Sequence, residues 1–335
     1  MSTWHRVRDL LTSRWFIKTA FFLYFVFACV QLMRFAAWTR GLGPYVARPE
    51  SPAGLLPVGH FTSFFALVRG GGWDVLLPAG LVIIIGALAV SLLLKRGFCG
   101  WICPLGTFWD AFALAGQKIM GRNVRVPKWL DYTGRGFRYL LTALIVFALL
   151  VMVPVSQAVD FRSFPYMWVA DIKTISMMIR PTYLLVVLFA GILSFLFGPV
   201  WCRYLCPVGG VYSVVGELSP CKVRRNDDAC THCLRCDNVC HAFVAVEKSK
   251  VVNDTECDGC MECVKICPAD DCLEATVLGR TTIAPWVWPL LVVGLWLAIW
   301  AAAYATGNWK SPIPPDQFRA AVQSGVLDRP SVPDQ

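Results

Sequence analysis

The sequence predicts an α-helical integral membrane protein of five transmembrane helices, with one small α+β module outside the bilayer. Three observations carry this. Hydrophobic residues make up 56% of the 335 positions and charged residues only 16%, a balance that marks a membrane chain. Five stretches are apolar enough to cross a bilayer, whose core takes about 20 helical residues. A polar segment between the fourth and fifth stretches, Cys230 to Pro268, carries two cysteine quartets.

The first span runs from about Trp15 to Met33, with Lys18 and Arg34 near its ends, where long cations can reach the headgroups. Its apolar run exceeds a signal-peptide core, and no small-residue cleavage site follows. The others run from about Val75 to Leu94, Tyr139 to Val155, Tyr183 to Val200 and Trp286 to Ala305. The last carries Trp286, Trp288, Trp296 and Trp300, partly as an interfacial belt. The formal charge of +9 is a topology signal and not a nucleic-acid signal, because Lys and Arg gather at one end of each span. Arg6, Arg8 and Arg14 precede the first span, and Lys95, Arg96, Lys118, Arg122, Arg125, Lys128, Arg135 and Arg138 fill the 95–138 loop. The 34–74 loop (Arg34, Arg40, Arg48, Arg69) and the 156–181 loop (Arg162, Lys173, Arg180) are lighter. The heavier side goes inside. This predicts a cytoplasmic N-terminus and cysteine module, and an outward-facing tail, in a bacterial cytoplasmic membrane.

The expected domains follow: a first hairpin over 1–97, a cytoplasmic loop over 98–138, a second hairpin over 139–218, the cysteine module over 219–281, a fifth helix over 282–306 and a periplasmic tail over 307–335. Five prolines interrupt that tail, while Asp316 to Leu327 has helical periodicity (Phe318, Ala321, Val322, Leu327). It reads either as a disordered end or as a docking segment for a redox partner.

Cys230, Cys233, Cys236, Cys240 and Cys257, Cys260, Cys263, Cys267 each have the spacing C-x-x-C-x-x-C-x-x-x-C, and Pro268 closes the second. This spacing wraps a [4Fe–4S] cube, with three thiolates from one loop and the fourth crossing to the other cube. On that pattern cluster I takes Cys230, Cys233, Cys236 and Cys267, and cluster II takes Cys240, Cys257, Cys260 and Cys263. Zinc sites use separated pairs, and disulfides need an oxidising compartment. Neither fits crossed quartets in a cytoplasmic module. The segment resembles a bacterial two-cluster ferredoxin, with one departure: His241 follows Cys240 where that pattern usually has Pro.

A second cysteine set comes from an internal repeat. Phe98-Cys-Gly-Trp-Ile-Cys-Pro-Leu-Gly returns 103 residues later as Trp201-Cys-Arg-Tyr-Leu-Cys-Pro-Val-Gly. The two hairpins are therefore read as a duplication. Cys99 and Cys103, like Cys202 and Cys206, are four apart and expected to share a helical face. These four thiols read as a third metal or iron–sulfur centre, as a redox thiol set, or as small packing residues.

With both motif types in hand, the chain is similar to the NapH/MauN group of membrane polyferredoxins. That group combines four membrane helices, two C-x-x-x-C-P motifs and a pair of [4Fe–4S] motifs. The same core occurs in a nitrous-oxide-reduction regulator family and in cytochrome-oxidase assembly proteins. The resemblance covers roughly residues 15 to 270, and the fifth helix and tail depart from it. It implies a membrane electron-transfer subunit that oxidises quinol within a respiratory complex, with a periplasmic cytochrome or iron–sulfur protein as partner. The alternative it leaves open is a copper-reducing maturation factor for oxidase assembly.

The histidines are His5, His60, His232 and His241, none inside a predicted span, and no C-x-x-C-H occurs, so the chain supplies no haem ligands. Cys29 reads as an apolar filler, and Cys221 and Cys272, which flank the quartets, as spare thiols or as residues that tune a cluster or join a third site. Quinol oxidation releases protons, so Asp110, Glu217, Asp74, Asp160, Asp171 and His60 are noted as acceptors, although solvated interfacial charge is the plainer reading of each carboxylate and an ordinary loop histidine that of His60.

Overall fold

The computed structural model describes residues 8–121 and 123–325. His5, Arg6, Arg122 and the tail beyond Gly325, with Leu327 and the last two prolines, lie outside the described residues. In chain order the helices are α1 Arg14–Thr39, α2 Pro57–Val68, α3 Pro78–Leu93, α4 Pro104–Met120, α5 Lys128–Phe147, α6 Val155–Ser163, α7 Pro165–Met178, α8 Pro181–Phe197 and α9 Pro207–Glu217. The module adds β1 Cys221–Arg225, α10 Arg235–Val239, β2 Val251–Val252, α11 Glu262–Ile266, β3 Leu273–Val277 and β4 Thr281–Ile283. Helices α12 Val287–Ala305 and α13 Pro315–Gln323 close the chain.

Among the described residues, three helical stretches are long and apolar enough to cross a membrane: Arg14–Thr39, Lys128–Met152 and Val287–Ala305. Helices α7 and α8 make a fourth candidate only as a pair bent by 71°. Five separate spans are therefore not what the helices show. The second expected span corresponds to α3, whose 16 residues reach about 24 Å at 1.5 Å per residue, short of a 30 Å hydrocarbon core. The third starts earlier than its apolar run suggests, at Lys128, and ends in a π-helical turn, Ala148–Met152, before Pro154. Pro181 sits just past the end of α7, which explains the bend, since the residue before a proline is pushed off helical backbone.

The chain divides into two compact units. One gathers the stretch up to Phe22, Ala87–Ala143 and Leu188–Leu297; the other gathers Leu23–Gly86, Leu144–Val187 and the stretch from Ala298 on. In the second unit, Leu32, Phe35 and Ala36 of α1, Val169, Ile172 and Ile175 of α7, and Ile313, Phe318 and Ala321 form one apolar cluster. The tail helix α13 is thus part of a core, with Phe318 only 3% exposed, and is neither a disordered end nor a free docking segment over the described residues. Arg48 ties this unit together, reaching Glu50 at 2.9 Å and Asp171 at 2.6 Å with its guanidinium over the Phe318 ring.

In the first unit, the module's antiparallel sheet runs in the order β2-β1-β3-β4. The β1–β3 register sets Cys221 against Val277 and Arg225 against Leu273, which brings the entry to the first quartet beside the exit from the second. The repeated motifs form matching π-helical turns, Phe98–Ile102 and Trp201–Leu205, each followed by a helix starting at Pro104 or Pro207. Trp109 stacks on Trp201 at 5.9 Å, joining the two copies. Gly116 allows α4 to meet α8, because a Cβ there would lie 1.8 Å from the Phe195 carbonyl oxygen.

Glu256 is the anchor between module and helices. It is 3% exposed and pairs with Arg138 and with Arg96, the latter at 3.2 Å, while the Tyr139 hydroxyl donates to it at 3.2 Å. Removing one member of such a buried group strands the others in a poor solvent for charge, so Glu256→Gln is expected to cost about 3–5 kcal/mol, read as a lower melting midpoint in detergent. Glu262, 34% exposed in its side chain and 3.7 Å from Lys265, is the control. Glu262→Gln should change stability by about 1 kcal/mol or less. Equal midpoints for the two variants would contradict this account of the anchor.

Candidate functional site

The two quartets follow the same backbone path. His232 and Leu234 have φ of 52° and 58°, and Gly259 and Met261 have φ of 65° and 62° at the matching places. Left-handed backbone is unfavourable for residues with a Cβ, so Leu234 and Met261 show how tightly each loop must close. A one-turn helix follows, α10 or α11, ending at Cys240 or Cys267 in extended backbone. Phe243 (φ 53°) and Asp271 (φ 56°) then repeat a second left-handed turn.

Within this frame, one cavity is lined by Cys230, Cys233, Cys236 and Cys267. Cys263 lies in the electrostatic reach of Cys260, Cys257 and Cys240. Backbone N–H groups point at sulfur: His232 to Cys230, Arg235 to Cys233, Gly259 to Cys257, and Val244 to Cys240 at 3.4 Å. The His232 and Arg235 donors hold the Cys230 and Cys233 thiols below the ordinary thiol range. Burial pushes Cys240 up to about 12 against the pull of Val244. Donors aimed at sulfur favour the thiolate, which is the form that binds metal, so this donor set suits iron–sulfur ligation.

The four repeated thiols also come together. Burial pushes Cys103 up to about 12, with Cys99 and then Cys206 adding to it, and burial raises Cys202, with Cys206, Asp110, Cys103 and Cys99 adding. The pairs do not share an α-helical face as the spacing suggests. Cys99 and Cys202 lie in the π-helical turns, whereas Cys103 and Cys206 cap the next helices from extended backbone, with ψ of 117° and 106°. The proline that follows each capping cysteine forces this. The capping sulfurs accept the N–H groups of Gly106 at 3.4 Å and Gly209 at 3.3 Å.

The first repeat copy packs directly on the second quartet's loop. The Trp101 indole N–H donates to the Gly259 carbonyl at 3.1 Å, and a Cβ on Gly100 would lie 2.7 Å from the Asp258 carbonyl oxygen. His241 explains its own departure from the ferredoxin pattern. Its Nε2 lies 2.9 Å from Asp258 Oδ2 and 3.2 Å from an Arg14 nitrogen. Burial and Arg14 oppose the charged imidazole, but Asp258 and Asp110 raise it to about 10, and the same contacts hold Asp258 well below the usual carboxylate range against its own burial.

Lys18 is not at a headgroup: it is fully buried and paired with Asp110, which also binds Arg14 at 2.6 Å. Asp110 is therefore not a solvated interfacial charge, and burial, which works against its carboxylate, is outweighed by Lys18 and Arg14, which hold it down. Arg138 donates to the Cys202 carbonyl at 3.0 Å, and Arg96 hydrogen-bonds the Cys99 thiol. Sequence reasoning passed over Arg14, Arg96, Arg138, Glu256 and Asp258 as site residues. For Arg14, Arg96 and Arg138 the signal available was charge placed at the ends of apolar spans, which is costly unless partnered, whereas Glu256 and Asp258 in the polar module carried no such signal. Of the acceptor candidates in the other unit, Asp171 is held by Arg48 and Asp74 by Ser63 at 2.6 Å, while Asp160 is exposed. His60 is not a loop residue; it lies on α2, 2% exposed, with Nε2 free of any hydrogen-bond partner and Gly80 against its ring.

A 4Fe-4S binding domain model matches residues 76–123 and again 179–226, so each repeat copy falls in one match. A 4Fe-4S dicluster domain model matches residues 222–268. Protein YccM of Escherichia coli (strain K12) is 31% identical over 84% of this chain and 81% of its own length. The ferredoxin-type protein NapH of Haemophilus influenzae is 29% identical over 49% of this chain and 55% of its own. The methylamine utilization ferredoxin-type protein MauN of Paracoccus denitrificans is 28% identical over 63% of this chain and 73% of its own. No solved structure matches the chain. The 31% identity to YccM over most of both chains, beside the matches to NapH and MauN and the two 4Fe-4S domain models, makes the chain a member of the family of ferredoxin-type membrane proteins that includes YccM, NapH and MauN.

Proposed function

We propose that the chain is a membrane-bound iron–sulfur electron-transfer subunit that oxidises quinol and delivers electrons within a respiratory complex to a periplasmic partner. The observation that carries this reading is the seating of Gly100 and Trp101, from between the first pair of repeated thiols, on the Asp258–Gly259 loop of the second quartet. A site at the repeated thiols and a site in the module are thereby in direct contact.

Cys230, Cys233, Cys236 and Cys267 would hold one [4Fe–4S] cluster, and Cys240, Cys257, Cys260 and Cys263 the other. Such clusters, when bound, supply one-electron carriage. The proposed third, anionic metal–sulfur centre uses Cys99, Cys103, Cys202 and Cys206. Charge balance supports it. Among the described residues of this unit, Arg14, Lys18, Lys95, Arg96, Arg138 and Arg203 are buried, against the buried carboxylates Asp110, Glu256 and Asp258. Arg203 is matched by half-buried Asp131 at 2.8 Å and Lys95 leans on Asn253 at 3.2 Å. The remaining four cations share three carboxylates, and His241 adds a fifth positive charge. Thiolates at the repeated cysteines would complete the balance, since an uncompensated buried charge is strongly unfavourable. The second quartet supplies part of this balance, since Cys260 lies against His241 and Arg14, and the repeated thiols are the group beside Arg96.

The Lys and Arg distribution supports a cytoplasmic module and an outward tail. A reporter fused after residue 245 should be active only in the cytoplasm, and one fused after residue 320 only outside. The opposite pattern would reverse the proposed direction of delivery.

The functional test is quinol-driven bleaching of the cluster absorbance in the purified anaerobic protein. The parent should bleach on adding a quinol. Cys99→Ala and Cys202→Ala should keep the module's own clusters, shown by bleaching with dithionite, yet fail to bleach with quinol. A parent that dithionite bleaches and quinol does not would contradict the quinol reading. Variants that bleach with quinol at the parental rate would remove the repeated thiols from the path.

A further inference from the structure

The cavity lined by Cys230, Cys233, Cys236 and Cys267 has a fifth sulfur on its wall, Cys272. This residue is 3% exposed, lines the same cavity as Cys267 and Cys230, and directs its thiol to the Asn226 carbonyl at 3.9 Å. Backbone geometry holds it there. The Asn226 N–H donates to the Cys272 carbonyl at 2.8 Å, and the next residue, Leu273, pairs with Arg225 across β1 and β3. Cys272 therefore cannot swing away without breaking the edge of the sheet.

The pseudo-symmetry of the module shows what is unusual about it. After the fourth cysteine of each quartet the chain makes a left-handed turn, at Phe243 in one half and at Asp271 in the other. The residue after the first turn is Val244, 5% exposed; the residue after the second is Cys272. One half thus presents an apolar side chain at this place, as a filler should be. The other presents a potential ligand.

We propose that Cys272 is a reserve ligand of the first cluster site, able to take over the iron assigned to Cys267. The inference rests on the reading that Cys230, Cys233, Cys236 and Cys267 hold a [4Fe–4S] cluster. In the exchange one iron–sulfur bond to Cys267 breaks and one to Cys272 forms. The proton of the Cys272 thiol passes to the released Cys267 sulfur, which lines the same cavity, so the step is redox-neutral and needs no further reactant.

The test compares the full-length anaerobic parent with Cys267→Ala, Cys272→Ala and the double variant. Iron content and the electron paramagnetic resonance spectrum of the dithionite-reduced protein are the readouts. Cys272→Ala and Cys267→Ala should each retain the parental iron, Cys267→Ala with a changed signal for one cluster. The double variant should lose about four irons per chain, one cube. The signal of the other cluster marks a folded module in every sample. Should Cys267→Ala give no folded protein, Cys230→Ala with and without Cys272→Ala makes the same comparison, since Cys230 lines the same cavity. If the parent holds its iron and the single Cys267 or Cys230 variant loses as much as its double, the inference is overturned while the cluster reading stands. A parent without cluster iron overturns both.

Discussion

Buried positive charge is the constraint on which the cysteine-bearing unit depends. Arg14, Lys18, Arg96 and Arg138 are each 5% exposed or less, and their carboxylate partners come from two distant parts of the chain, Asp110 on α4 and Glu256 and Asp258 in the second quartet's loop. Each guanidinium or ammonium has lost its water, so each must find protein partners or leave a large penalty unmet. The result joins the start of α1, the two repeat copies and the module through ion pairs that only one arrangement satisfies. Arg14 alone touches the Gly100 carbonyl, Asp110, His241 and Asp258. The partial surplus of cations then gives the proposed thiolate centre a physical reason beyond its spacing.

Close approach is the second requirement. Where the first repeat copy meets the second quartet's loop, there is no room for a side chain at Gly100. Gly210 meets Thr142 in the same way, with a Cβ 2.1 Å from its hydroxyl oxygen. The first contact places backbone against backbone between the repeat and the module, and the second seats the other repeat copy's helix on the Thr142 side chain of α5. The first is useful to a chain that moves electrons, because it leaves no layer of side chains between neighbouring sites. Trp109 and Trp201 do the corresponding work between the two repeat copies.

The cysteine quartets were legible from spacing because a cube dictates a local loop, and the loop dictates the intervals. The shared φ values at His232, Leu234, Gly259 and Met261 show that same rule in the backbone. The duplication was legible too, since both copies fold into a π-helical turn and a proline-started helix. The shared helical face was misread because Pro104 and Pro207 turn the second cysteine of each pair out of helical backbone. Lys18 was misread as a headgroup cation because its partner, Asp110, is 92 residues away and no local pattern links them. Length and apolarity of the helices support three spans, or four with the bent pair: α3 is apolar enough but short, and α7 with α8 is long enough but bent. The tail helix carried its periodicity openly, whereas the core it joins, with Phe35 and Ile172, could not be seen from one segment.

The repeated thiols, as proposed, hold an anionic metal–sulfur centre in addition to the two clusters of the module. Metal and labile sulfide analysis of the anaerobic parent, beside Ala variants at Cys99, Cys103, Cys202 and Cys206, tests it most directly. The expected result is metal beyond the roughly eight irons of two cubes, with the same excess lost in all four variants and the module's iron retained. A parent with about eight irons and no further metal, unchanged in all four folded variants, would contradict it.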